Sequence, residues 1–194
     1  MTEYGLSGAD VVREVAAVGY SFETLAELRE SRIRYREAIP VLLSAFHRTS
    51  NQNVKDEIIR ALGKPWAASL VVDPLIDLFQ SVDDPTGLGT RWTIGDALGS
   101  IWDDSRYDKL IALARDKSYG RAREMLVHGL GRSKRPEAVD DLIAFLDHPE
   151  VSGHAVIALR RLRATRALPH LERMLDDKRA WVRKETRKAL EQLG

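Results

Sequence analysis

Val139-Asp140-Asp141-Leu142-Ile143-Ala144-Phe145-Leu146-Asp147-His148-Pro149-Glu150-Val151-Ser152-Gly153-His154-Ala155-Val156-Ile157-Ala158-Leu159 contains both kinds of segment from which the chain is built. In its first half Leu142, Ile143, Phe145 and Leu146 cluster with helical period. In its second half Val151, Ala155, Ala158 and Leu159 fall at i, i+4, i+7 and i+8, which places them on one face of a helix. Between them, Asp147-His148-Pro149 combines a helix stop with a helix start. The stretch reads as a helical hairpin. Its one apolar stripe cannot be covered from within, so it needs neighbours of the same kind.

Those neighbours are present. The first segment type recurs with its anchor residue at Leu42, Ile76, Leu110, Leu142 and Leu171, and the second closes on Ala61-Leu62-Gly63, Ala97-Leu98-Gly99, Gly129-Leu130-Gly131, Ala158-Leu159 and Ala189-Leu190. The two series advance together at about 29 to 36 residues per step, a spacing at which repeat architectures must be considered before any other fold. No run alternates with period two over the length of a strand. The expected fold is all-α, with about five helical hairpins over residues 37–194. Residues 1–36 do not match the repeat and are expected to form an N-terminal helical cap: a short helix after Asp10 carries Val11, Val12, Val15 and Ala16, and a second one capped by Ser21 carries Leu25 and Leu28. Glu23, Glu27, Arg29 and Glu30 would give that cap the polar outer surface a stack needs at its end.

Composition narrows the function. The chain has 194 residues, of which 44% are hydrophobic and 30% charged, with a formal net charge of +1 and no cysteine. Thiolate metal sites, cysteine nucleophiles and disulfides are excluded. No apolar run approaches the roughly 18 residues of a spanning helix, so a cytoplasmic protein without membrane contact is expected. The near-neutral sum conceals an asymmetry: residues 151–194 hold eleven Lys and Arg against five Asp and Glu, a formal +6 opposite −5 for the preceding 150.

Asp176-Asp177-Lys178-Arg179-Ala180-Trp181-Val182-Arg183-Lys184-Glu185-Thr186-Arg187-Lys188-Ala189-Leu190 resembles the second half of a HEAT-like repeat of the short bacterial type first named from phycobilisome lyases. The unit from Ala138 to Leu162 is similar, and the likeness extends over roughly residues 37 to 194. The resemblance implies a right-handed α-solenoid whose second helices line a concave face, and it implies scaffolding more than chemistry. On that face the residue after the first core position would be Lys55, Arg91, Arg123, Ser152 and Arg183 in successive repeats, a basic row broken once. Such a row either holds the inter-helix turns in register or meets a ligand. The next row, Asp56, Trp92, Glu124, Gly153 and Lys184, varies as a binding surface would. We therefore expect a contact surface drawn from Arg91, Trp92, Asp96, Arg123, His154, Trp181, Arg183 and Arg187, with Trp92 and Trp181 either anchoring a partner or packing between repeats. Trp66 and Trp102 lie near segment junctions and are expected to be structural. Gly129 occupies the small core slot held elsewhere by Ala61, Ala97, Ala158 and Ala189; Gly95 and Gly153 lie off that slot, and either a neighbouring helix or a ligand would explain them.

Catalytic signatures are missing. There is no Walker loop, no His-Glu-x-x-His and no Gly-x-Ser-x-Gly, and none of the five histidines precedes a glutamate, as the metal ligands of HEAT-like hydroxylases do. The pairs Asp83-Asp84, Asp103-Asp104, Asp140-Asp141 and Asp176-Asp177 fall at turns or helix starts, where carboxylates cap the first turn. No metal or cofactor is expected. The favoured function is a non-enzymatic scaffold or adaptor for a protein partner, with nucleic acid a weaker possibility. Two enzymatic readings stay open. Trp92 and Asp96 beside Arg91 and Arg123 match one detail of HEAT-like alkylpurine DNA glycosylases, and phycobilin lyases share the repeat.

Overall fold

The structure is a computed structural model and describes residues 6–194. Among them there is no strand. The α-helices are α1 Gly8–Ala17, α2 Leu25–Glu30, α3 Ala38–Arg48, α4 Gln52–Leu62, α5 Ala68–Ser81, α6 Thr90–Ser100, α7 Tyr107–Arg115, α8 Glu124–Leu130, α9 Glu137–Phe145, α10 Ser152–Arg161, α11 Leu168–Glu172 and α12 Ala180–Leu193, with short 3-10 turns between several of them. Each odd-numbered helix packs on the even-numbered helix that follows it. No helix among the described residues is long and apolar enough to cross a membrane.

The chain divides into two compact units, residues 1–101 and 102–194. In the first unit α2, α4 and α6 lie side by side, with α1, α3 and α5 forming the layer behind. In the second unit α8, α10 and α12 do the same, backed by α7, α9 and α11. Every anchor position of the repeat is buried: Leu42, Leu110, Leu142 and Leu171 are fully covered and Ile76 is 5% exposed. Ala61, Ala158 and Ala189 of the small slot are likewise fully covered. The slot is small because second helices approach closely there. A Cβ on Gly131 would lie 2.8 Å from Ala158 Cα, and one on Gly63 would lie 3.0 Å from Ala97 Cβ. The glycine that ends one second helix thus receives the alanine of the next, a contact no larger residue permits.

Of the N-terminal 36 residues, the described ones, 6–36, belong to this stacking. α1 packs on α3 and α2 on α4, as a further hairpin would. Their boundaries differ from the expectation. Helix α1 starts before Asp10, because Ser7 and Asp10 form a reciprocal capping box, with Ser7 N–H donating to the Asp10 carboxylate at 2.9 Å. Thr24 rather than Ser21 caps α2, its hydroxyl accepting from Glu27 N–H at 3.1 Å. Ala16 is exposed. Arg29 faces α4 instead of solvent, pairing with Glu57 at 3.1 Å.

Candidate functional site

The basic row resolves into a set of turn clamps. Arg91 donates from Nε to Phe79 O at 2.9 Å and from Nη1 to Asp84 O at 2.8 Å, and Nη2 reaches Val82 O. These are carbonyls at the end of α5 and in the loop after it. The loop itself is wound around Asp84, whose carboxylate accepts from the N–H groups of Gly87, Gly89 and Arg91 at 3.0 to 3.1 Å. Burial raises its pKa, but a bond from the Thr86 hydroxyl at 2.8 Å together with those three outweighs that cost and holds it below the usual range. Arg123 is 1% exposed. Its Nε donates to Gly120 O at 2.9 Å, Nη1 to Ala114 O at 3.2 Å, and Nη2 to Glu150. Arg183 donates to Asp177 O and Lys178 O at 2.7 and 3.1 Å. Lys55 differs, lying 5.3 Å from the ring centre of Phe46.

The missing cation at Ser152 is supplied from the next repeat. Arg179 donates to Ser152 Oγ at 2.6 Å and to Pro149 O while chelating the Asp177 carboxylate. Arg91 and Arg123 were expected on the contact surface. Their guanidinium groups are instead committed to turn carbonyls, since a helix end or loop leaves acceptors that have no backbone donor. One acid of each pair is structural too: Asp84, Asp104, Asp141 and Asp177. Asp104 accepts from Ser133 Oγ at 2.5 Å and Lys134 N–H at 2.7 Å in the following repeat, and the buried Asp141 accepts from Tyr107 Oη at 2.5 Å and from Arg115.

In the first unit Trp92 and Asp96 are both half-buried on α6. Asp96 borders a cavity of only about 80 Å³ shared with Arg60 and Thr93, and Trp92 does not line it. Trp66 packs edge-on against Tyr35 at 5.0 Å. In the second unit, Trp102 donates to Asp104 at 2.9 Å.

The second unit holds a larger open cleft of about 710 Å³ at the N-terminal ends of α8, α10 and α12. Its floor is apolar, from Leu146, Pro149, Met174 and Trp181. Trp181 is 42% exposed, and its indole N–H makes no hydrogen bond among the described residues. The ring is nevertheless fixed. It lies directly on Gly153, where an added Cβ would overlap Cη2 and come within 2.7 Å of Cζ2 and Cζ3. Its edge meets the His154 ring at 5.5 Å between centres, and the Arg179 guanidinium lies 5.7 Å from its own centre. Gly153 is therefore explained by the tryptophan of the next repeat. His154 in turn meets His128 at 6.4 Å. Burial lowers the pKa of both imidazoles, that of His128 to about 4.

The charges around the cleft are largely neutralised in place. Arg121 pairs with Glu124 at 2.7 Å, Arg123 with Glu150, Arg173 with Asp147 at 2.8 Å and Arg179 with Asp177 at 2.7 Å. Asp176 and Lys178, one of each sign, line the cleft and carry no ion pair among the described residues. Of the expected site residues, the structure thus brings Trp181 and His154 together, commits Arg183 to the carbonyls of Asp177 and Lys178, and leaves Arg187 exposed on α12. Met174 and Leu146 are missed by sequence reading because their spacing marks them as core. Arg179 is legible only as a neighbour of Trp181, not as the substitute clamp it is. Among the described residues no group of three or more His, Asp or Glu side chains is arranged to hold a metal ion.

Several comparisons bear on this arrangement. A HEAT-repeat model matches residues 39–130 and 107–191. The structure is similar to one in the complex of CpcE and CpcF of phycocyanin lyase from Nostoc sp. PCC7120, with a TM-score of 0.61 at 24% identity, covering 80% of this chain. The chain spans 64% of the length of that relative. Two engineered proteins are also similar, each with a TM-score of 0.52, at 19% and 18% identity and covering 96% and 95% of this chain. These likenesses are of fold alone. No match was found among curated proteins. With its repeats matched from residue 39 to residue 191, the chain belongs to the HEAT-repeat family.

Proposed function

We propose that the chain is a non-enzymatic scaffold that binds a protein partner through the cleft of its second unit, with Trp181 as the anchor. One observation carries this reading: a large aromatic ring is held rigid by Gly153, His154 and Arg179 and yet is 42% exposed above an apolar floor. A preordered, partly exposed tryptophan in a pocket is the kind of group that dominates binding energy at protein interfaces. Because the surrounding arginines are paired with acids, the favoured partner is a segment with an apolar side chain for the floor, recognised with little dependence on salt.

A nucleic-acid reading draws no comparable support. Its basic row was to include Arg91 and Arg123, and both are turned into turn carbonyls. The test is a photocrosslinking residue placed at Lys178 on the rim in living cells. We expect one discrete protein adduct that is lost with Trp181→Ala, while the folded signal of the variant in circular dichroism is kept. An adduct of equal yield in Trp181→Ala sinks the proposal, as does a binding affinity that collapses when salt is raised from low to physiological strength.

A further inference from the structure

At the opposite, C-terminal ends of α8, α10 and α12 lies a second cavity, of about 410 Å³, lined by His128, Ile157, Arg160, Arg161, Arg163 and Gln192. It contains three arginines and no carboxylate. The acid in contact with this group, Glu185, is already engaged twice, with Arg160 at 3.1 Å and with Lys188 at 2.6 Å. Arg161 and Arg163 are exposed and make no ion pair among the described residues. The Nε of Arg160 is buried and has no hydrogen-bond partner, a donor left unspent where native structures rarely leave one.

The bland account is that these cations answer the dipole of α10, near whose C-terminus they sit. That dipole amounts to only about half a negative charge. The terminal carbonyls of α10 are moreover closed by its own backbone: Leu162 N–H donates to Ala158 O, Arg163 N–H to Arg160 O and Ala164 N–H to Leu159 O, all at 3.0 to 3.1 Å. Three arginines therefore exceed what the helix end requires. The closing turn adds a second sign. Arg163 has φ +52°, and no other non-glycine residue described has a positive φ. This is the position after the helix cap where glycine fits without steric penalty, so the arginine is kept against its own backbone preference, as residues at ligand sites often are.

We propose that this cavity binds a phosphate monoester dianion through the guanidinium groups of Arg161 and Arg163, with Arg160 beside them on the cavity wall. Planar guanidinium forks match the spacing of phosphoryl oxygens. Gln192 supplies an amide donor and His128 a neutral imidazole. His128 is pushed down by burial first, then by Arg132, His154 and Arg161, in keeping with a positive local potential. The cavity volume lies within the range of small-ligand sites, roughly 300 to 1,000 Å³, and so holds a phosphoryl group with a short organic stem. The site is separate from the Trp181 cleft and does not depend on what that cleft binds.

The test is a two-dimensional amide NMR titration of the full chain with inorganic phosphate and with O-phosphoserine, against chloride at equal ionic strength. Perturbations should be confined to residues around His128, Arg160 to Ala164 and Gln192. Arg161→Gln and Arg163→Gly should each weaken binding by about tenfold, the loss of one charge-assisted interaction. Arg163→Gly relaxes the backbone, so lost binding there is not lost folding. Equal affinity for the two probes assigns recognition to the phosphoryl group alone, and tighter phosphoserine binding adds a contribution from the stem. Perturbations no larger than those from chloride, or unchanged in both variants, overturn the proposal.

Discussion

Gly153 and Trp181 come from neighbouring repeats, and their contact makes a quantitative prediction. In isolation Gly153→Ala should stabilise α10, because alanine is about 1 kcal/mol better than glycine inside a helix. In this protein the new methyl group would occupy the space of the indole, overlapping Cη2 and lying 2.7 Å from Cζ2 and Cζ3. The ring must leave. Trp181 is 42% exposed, so it can swing outward, and roughly 100 to 150 Å² of its surface is at stake. At about 25 cal/mol per Å² that contact is worth at most about 2 to 4 kcal/mol. Partial displacement loses about half of it. Gly153→Ala should therefore destabilise the wild type by about 0.5 kcal/mol net, and stabilise a Trp181→Ala background by about 1 kcal/mol. The coupling is about 1.5 kcal/mol, well above the few tenths expected of independent sites. Urea unfolding of the four proteins, followed by circular dichroism, measures it. If Gly153→Ala has the same effect in both backgrounds, the indole does not rest on Gly153 and the rigid anchor is lost from the proposed function.

Acid should weaken the second unit. His128 has its pKa lowered from 6.5 to about 4, and His148 and His154 are lowered too, each chiefly by burial. The unfolded chain takes up these protons near 6.5 and the folded chain only at lower pH, near 4 for His128, so stability is fully present above pH 6.5 and falls as pH drops through that window. For the half-buried His128, discounted for solvent screening, the loss is about 1 to 2 kcal/mol; His128→Gln should flatten the slope between pH 6.5 and 5 in urea titrations. Arg123→Met should cost about 2 to 4 kcal/mol in chemical unfolding, because the carbonyls of Gly120 and Ala114 lose their donor in a buried place; a change under 0.5 kcal/mol would contradict the clamp. Tyr107→Phe strips one donor from the buried Asp141 and should cost about 1 to 2 kcal/mol by the same measurement. Arg163→Gly should raise the thermal midpoint, by relief of about 1 kcal/mol of left-handed strain, and an unchanged or lower midpoint would contradict the strained-arginine argument.

The spacing of Leu42, Ile76, Leu110, Leu142 and Leu171, and of the small slot from Ala61 to Ala189, was sufficient to assign an all-α repeat of helical hairpins. Periodicity is a local property, and each hairpin repeats the same face toward its neighbours. The Ala-Leu-Gly endings coincide with close contacts between second helices, since Gly63 and Gly131 receive Ala97 and Ala158. What sequence could not decide was the direction of long polar side chains. Arg91, Arg123, Arg183 and Arg187 look alike in a linear pattern, yet the first three meet turn carbonyls and the last is exposed. The difference depends on which carbonyls a neighbouring loop leaves without a donor, and that loop is placed by tertiary packing. The same holds for the glycines and cations of the second unit. Gly153 is explained only when Trp181 is seen lying on it, and Arg160, Arg161 and Arg163 form a cavity only when α8 and α12 bring His128 and Gln192 beside them. Sequence determined the stripe that folds the chain; the stacking of one repeat on the next decided which charges are spent holding it together and which remain for a partner.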